Sequence, residues 1–101
     1  MRLEIMGAGP HPDLSISGSI VTVAGYEVDC EARQEDSAVI IDLRLGEKGV
    51  TEKGGSYQIA SIHIPPAEYD EIDEGTEEEQ AVSLIKKPLD ANAVLVTLWT
   101  I

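Results

Sequence analysis

The sequence predicts a mostly-β domain: a small antiparallel β-sandwich, or a partly open barrel, of six to eight strands. Two observations carry this prediction. Hydrophobic residues make up 43% of the 101-residue chain, and they are rich in valine and isoleucine, with no phenylalanine. Such β-branched side chains pack well on a pleated sheet. Several segments also alternate apolar and polar residues with the period of two that a half-buried strand requires, and turn residues separate them.

The first third of the chain alternates in two places. Residues 2–6 predict a short strand, but the next six residues include two glycines and two prolines. We therefore expect residues 1–12 to form a loosely structured N-terminal arm. Residues 14–32 are mostly apolar at even positions, and Gly18 and Gly25 divide them into two or three strands.

The middle of the chain predicts a hairpin and a further strand. Apolar side chains alternate with charged ones over residues 26–33 and again over residues 39–45, so these two segments are expected to pair. The glycine-rich and charged segment 46–55 is expected to be a mobile loop. Residues 57–64 predict another strand, which ends at 65–66 because two prolines cannot donate to a sheet ladder.

The last third contains the most unusual segment. Seven of the ten residues 70–79 are acidic, and we interpret residues 67–80 as an acidic loop. Residues 76–87 leave two alternatives open. A capping box beginning at Thr76 favours one short helix, whereas alternation and valine favour a strand, which we slightly prefer. Residues 93–101 are apolar on both faces, which indicates a central, covered strand or a subunit interface.

Charge and cysteine content narrow the classes of function. The formal net charge is −12, so the surface should repel nucleic acid and anionic membranes, while basic proteins and weakly bound divalent cations remain open as partners. Cys30 is the single cysteine, which excludes an intrachain disulfide and fits a reducing compartment. No signal peptide and no apolar run of membrane-spanning length is evident, so we expect a cytoplasmic protein.

No residue set predicts catalysis, a cofactor or a metal site. His63 could act as a general base together with Tyr57 and an acid from 67–80, but no nucleophile is fixed near it in sequence. Cys30 lies on the apolar side of its segment between two acidic residues, which indicates burial rather than reactivity. The acidic run departs from the calcium-loop pattern, because Ile72 stands at the third position when counting starts at Asp70.

Three hypotheses for function follow. The first is a non-enzymatic protein–protein interaction or structural assembly module that self-associates, by analogy with small β-domains such as the minor structural proteins of phage particles. The second is an acidic decoy that mimics nucleic acid and inhibits a DNA-binding protein. The third is a small-molecule binder or enzyme that uses His63. The residues expected to contact a partner are Asp70, Glu71, Asp73, Glu74, Glu77, Glu78, Glu79 and Trp99.

Overall fold

The strands are short, because glycines and prolines interrupt the alternating segments. A computed structural model describes residues 1–73 and 82–101, and these residues form ten strands and one short α-helix. The helix α1 is Cys30–Arg33, and a single 3-10 turn is Ala91–Ala93. The strands are β1 (Arg2–Ile5), β2 (Leu14–Ser17), β3 (Ile20–Val23), β4 (Tyr26–Asp29), β5 (Val39–Gly46), β6 (Gly49–Thr51), β7 (Tyr57–Ile64), β8 (Tyr69–Asp73), β9 (Val82–Lys86) and β10 (Leu95–Leu98).

The strands of the described residues form three sheets. The largest has the order β1-β10-β7-β5-β6, the second has the order β2-β3-β4, and β8 and β9 form a two-stranded ribbon. The pair β1–β10 is parallel and the other described pairs are antiparallel. This confirms the mostly-β prediction, and neither larger sheet closes into a barrel. There are more strands than predicted, because β6 and β8 lie in segments expected to be loops.

The two larger sheets share one hydrophobic core. Valines and a cysteine from the three-stranded side meet isoleucines, leucines and valines from the five-stranded side. Burying this aliphatic surface is the main source of stability in the fold. The buried core residues are Val21, Val23, Val28, Cys30, Ile41, Leu43, Ile59, Ala60, Ile62, Ile64, Val94, Val96 and Leu98.

The strand predicted over residues 26–33 is wrong in its second half. β4 ends at Asp29, whose carboxylate accepts a hydrogen bond from the N–H of Ala32 at 3.2 Å and so caps α1. Cys30 begins this helix and is fully buried, and burial raises the pKa of its thiol. The predicted pairing with residues 39–45 is also wrong, because β4 pairs with β3 whereas β5 pairs with β6 and β7.

The segments predicted as loops contain strands. Within 46–55, β6 pairs with the end of β5, so this segment is part of a sheet. Within 67–80, β8 occupies the start of the acidic segment, and residues 74–80 lie outside the described residues. Of the two alternatives for 76–87, the strand is confirmed at residues 82–86. The remainder of the predicted helix, residues 76–81, falls outside the described part of the chain.

The short strand predicted at the beginning of the chain is confirmed as β1. The N–H groups of Arg2 and Met6 donate to the carbonyls of Val94 and Leu98 at 2.8 and 2.9 Å. The first part of the N-terminal arm therefore belongs to the five-stranded sheet. The following loop also contacts the end of the chain, where the N–H of Ile101 donates to the carbonyl of Pro10 at 2.9 Å.

A polar cluster fastens α1 to the loop after β6. The guanidinium of Arg33 donates to both carboxylate oxygens of Glu52, at 2.6 and 3.1 Å. The hydroxyl of Tyr26 donates to the same carboxylate. These hydrogen bonds from Arg33 and Tyr26 lower the pKa of Glu52, and the bond to Glu52 raises the pKa of Tyr26.

The cluster gives a pH-dependent contribution to stability. Because the pKa of Glu52 is lower in the folded chain than in the unfolded chain, its contribution is present above the ordinary glutamate pKa and is lost as the pH falls through the folded value. We expect Glu52→Gln to lower the free energy of unfolding by about 1 kcal/mol at pH 7, since the pair is partly exposed. The difference from the wild type should shrink at pH 3. Urea unfolding of both proteins at the two pH values measures it, and a difference independent of pH would contradict the assignment.

Candidate interaction surfaces

The ribbon β8–β9 exposes apolar side chains on both of its faces. The strands pair in register from Tyr69 opposite Lys86 to Asp73 opposite Val82. Successive residues of a strand point to opposite faces, so the neighbours Leu84 and Ile85 lie on different faces. Their exposed fractions are 62% and 51%. Among the described residues, β8 and β9 pack mainly against each other, and neither larger sheet covers Leu84 or Ile85.

The base of the ribbon is fixed to the residues around α1. The carboxylate of Glu31 accepts hydrogen bonds from the N–H of Leu89 at 2.7 Å and from Nζ of Lys86 at 3.3 Å. The hydroxyl of Tyr69 donates to Asp36, which raises the pKa of Tyr69. These contacts fix the orientation of the ribbon relative to the two larger sheets. The molecule is elongated, with principal extents of 64 × 24 × 18 Å.

The structure separates the residues predicted to contact a partner. Asp70, Glu71 and Asp73 lie on β8, and the carboxylate of Asp70 is 3.4 Å from Nζ of Lys87 at an exposed position. Trp99 instead follows β10 in the five-stranded sheet, where it is half-buried and its N–H donates to the carbonyl of Ile59. The predicted residues outside the described part of the chain are Glu74, Glu77, Glu78 and Glu79.

A cavity of about 470 Å³ lies beside the base of the ribbon. The side-chain amide of Gln34 has a fixed orientation there, because its Nε2 donates to the carbonyl of Pro65 at 3.1 Å and that of Pro66 at 3.4 Å. Its Oε1 is buried and accepts no hydrogen bond from the described residues. Sequence reasoning missed this cavity, since it treated the prolines only as strand terminators. Its lining includes Gln34, Pro65, Pro66, Glu68, Lys87 and Pro88.

The surroundings of His63 differ from those expected for a general base with Tyr57. His63 lies on the outward face of β7, where its Nε2 is 3.2 Å from Oγ of Ser61. Tyr57 is at the opposite end of the same strand, roughly 20 Å away. The carboxylate of Asp42, which is opposite Ser61, accepts from the side chain of Gln58 at 2.8 Å. Among the described hydrogen bonds, the imidazole of His63 contacts only Ser61, and no carboxylate orients it as a general base would require.

The last strand is central in the five-stranded sheet. β10 lies between β1 and β7 and pairs with both. Its inward side chains Val96 and Leu98 belong to the core. The predicted central position of this strand is therefore confirmed, whereas a subunit interface on its outward face, where Leu95 is partly exposed, stays a prediction. The free edge on that side of the sheet is β1.

Neither a metal centre nor a membrane-spanning helix is present in the described residues. In 1–73 and 82–101, no three histidine, cysteine or acidic side chains converge in a way that could hold a metal ion. The helices found over these same ranges are too short to cross a membrane. Comparisons of the chain with protein-family models, curated proteins and solved structures found no match.

Proposed function

We propose that the protein is a non-enzymatic protein–protein interaction module, and that the β8–β9 ribbon is the arm that contacts its partner. The observation that carries this proposal is the exposure of Leu84 and Ile85 on a ribbon that stands apart from both sheets. A two-stranded ribbon is only marginally stable alone in water. Covering its apolar side chains with a second protein would supply the packing that the sandwich does not provide.

The register of the ribbon indicates the chemistry of the partner. Asp70 is directly opposite Ile85, and Glu71 is directly opposite Leu84. Each exposed apolar side chain therefore has a carboxylate as its cross-strand neighbour on the same face. A partner segment that carries basic and apolar side chains on the same face would complement this pattern, and an extended segment of this kind could also add to a free edge of the ribbon.

The test uses a synthetic peptide in which pairs of lysines alternate with pairs of valines. Successive residues of an extended chain point to opposite faces, so this repeat places both kinds of side chain on each face. We expect amide NMR shifts on peptide addition to be concentrated in residues 69–73 and 82–86. Replacing Leu84 and Ile85 together with threonine, which retains strand propensity, should weaken binding about tenfold or more. The matched control is Ile40→Thr, because Ile40 is 60% exposed on the five-stranded sheet, and it should leave binding unchanged.

A second pair of variants separates charge from apolar contact. Replacing Asp70 with asparagine and Glu71 with glutamine should weaken binding at low salt and reduce its dependence on ionic strength. Shifts spread over all acidic surfaces, or equal binding by the Leu84 and Ile85 variant, would show that the ribbon is not the contact arm. Binding driven by charge alone, without loss in the threonine variant, would instead favour the acidic-decoy hypothesis.

A further inference from the structure

In the described part of the chain, one edge of the five-stranded sheet is the outer side of β1. Arg2 and Met6 direct their N–H groups to β10. In a parallel pair, alternate residues direct their peptide groups to opposite sides of the strand. The peptide groups of Leu3 and Ile5 therefore point away from the sheet, where the described residues supply no neighbouring strand. Such a row of unpaired groups can accept another strand.

The inward face of β1 extends the apolar face of β10, but its own side chains are exposed. Leu3 is in register with Val96, and Ile5 is in register with Leu98. Both partners on β10 are buried, whereas Leu3 and Ile5 are 47% and 54% exposed. The smaller sheet therefore does not reach across β1. The outward face carries the opposite charges Arg2 and Glu4.

We infer that β1 joins two copies of this chain by antiparallel pairing about Leu3. This arrangement places Leu3 opposite Leu3 of the second copy and Arg2 opposite Glu4 of the second copy. The two-fold symmetry forms the charged pair twice, once on each side of the axis. The Leu3 residues exchange N–H···O=C hydrogen bonds, because both direct their peptide groups to the free edge. The result is one continuous sheet through both copies.

The pattern of charges selects this register over its neighbours. A register shift that keeps the apolar side chains on the inner face must be by two residues, because successive residues point to opposite faces. In a two-fold symmetric pair, a shift of two residues moves the symmetry axis by one residue, from Leu3 to Arg2 or to Glu4. Centring the pair on Arg2 would place two arginines opposite each other, and centring it on Glu4 would place two glutamates opposite each other. Like charges directly opposite are destabilising. Charge complementarity therefore favours a second copy of β1 aligned at Leu3.

Solution mass tests this inference. The measurement is analytical ultracentrifugation over a concentration series up to about 1 mM, in about 0.15 M salt to screen the repulsion between two acidic copies. We expect the mass to rise from 10.9 kDa to twice that value. Either Arg2→Glu or Glu4→Arg should raise the dimer dissociation constant about tenfold or more, because each reversal changes both symmetric pairs.

Two charge-swap experiments test whether Arg2 of one copy is opposite Glu4 of the other. The variant with both reversals restores opposite charges across the axis and should dimerise like the wild type. A mixture of the two single variants should form a heterodimer for the same reason. A wild type that remains monomeric throughout, or single reversals that leave the dissociation constant unchanged, would overturn the inference. Failure of both swaps to restore association would overturn it as well.

A backbone variant tests the hydrogen bonds separately. Leu3→Pro removes an N–H that points to the free edge and leaves those of Arg2 and Met6 in place, so the sheet should form, as circular dichroism can verify. This variant should be monomeric, and dimerisation as strong as that of the wild type would contradict edge pairing. The proposed pairing of β1 does not involve the β8–β9 ribbon. Replacing Leu84 and Ile85 with threonine should leave the dimer unchanged, and its loss would place the interface on the ribbon.

Discussion

Replacing Ile62 with alanine is expected to lower the free energy of unfolding by about 2–5 kcal/mol. Ile62 is fully buried at the centre of the five-stranded sheet. It is opposite Val96 on one side and Ile41 on the other, both of them core residues. The truncation removes buried methyl and methylene groups, and the rigid neighbouring strands cannot collapse into the cavity that remains. The loss therefore includes both the transfer free energy and the cost of the cavity.

The control is Ile40→Ala, which makes the same chemical change on the outward face of β5. Ile40 is 60% exposed, so its truncation should alter the free energy of unfolding by no more than about 0.5 kcal/mol. Urea unfolding followed by circular dichroism measures both variants. Similar losses in the two variants would contradict the face-to-face packing of the two larger sheets.

Alanine at Gly55 is expected to lower the free energy of unfolding by roughly 2–4 kcal/mol. Gly55 has a φ of +73°, a conformation that an L side chain adopts only with strain. An added Cβ would also lie 2.9 Å from the carbonyl oxygen of Leu45 and 3.1 Å from Cβ of Arg44. These atoms belong to β5 at the shift in its register with β7, so they cannot move aside without disturbing the sheet.

The adjacent glycine provides a matched control. Gly54 has a φ of +74°, but an added Cβ would meet nothing within 4 Å. Gly54→Ala should therefore lose only the conformational term, about 1–2 kcal/mol. The difference between the two variants isolates the steric contact with β5. Equal losses in thermal or urea unfolding would show that Gly55 does not pack against that strand.

Local sequence patterns predicted those strands whose formation depends on residues adjacent in the sequence. Alternation over residues 39–45 and 57–64 corresponds to β5 and β7, because these strands bury one face and remain in regular register over most of their length. Ile59 and Ala60 are both buried at the shift in that register, which a strict period of two does not anticipate. Alternation also misassigned Cys30–Arg33, where the cap from Asp29 begins a helix too short to show its own period.

Long-range pairing could not be predicted from the same patterns. Which strand accompanies β5 depends on packing between distant segments, so the expected hairpin with residues 26–33 was wrong. The run of acidic residues predicts a solvated loop, yet β8 includes Asp70 and Glu71. The cavity beside Gln34 arises from the meeting of two proline-containing connections, which no local pattern reveals. The exposure of Leu3 depends on how far the smaller sheet extends over the larger one, which no local pattern encodes.

The pairing of β1 with β10 has a consequence for the order of folding. Leu3 meets Val96 although almost the whole chain lies between them, so the entropy of closing this long loop must be overcome before the contact contributes. By comparison, β2, β3 and β4 pair through short turns. We therefore expect β1 to dock after β2, β3 and β4 have paired, so its outer edge is available to a second copy only on a chain that has already folded. If two copies pair through this edge as proposed, they associate as folded domains, and the association step comes after folding.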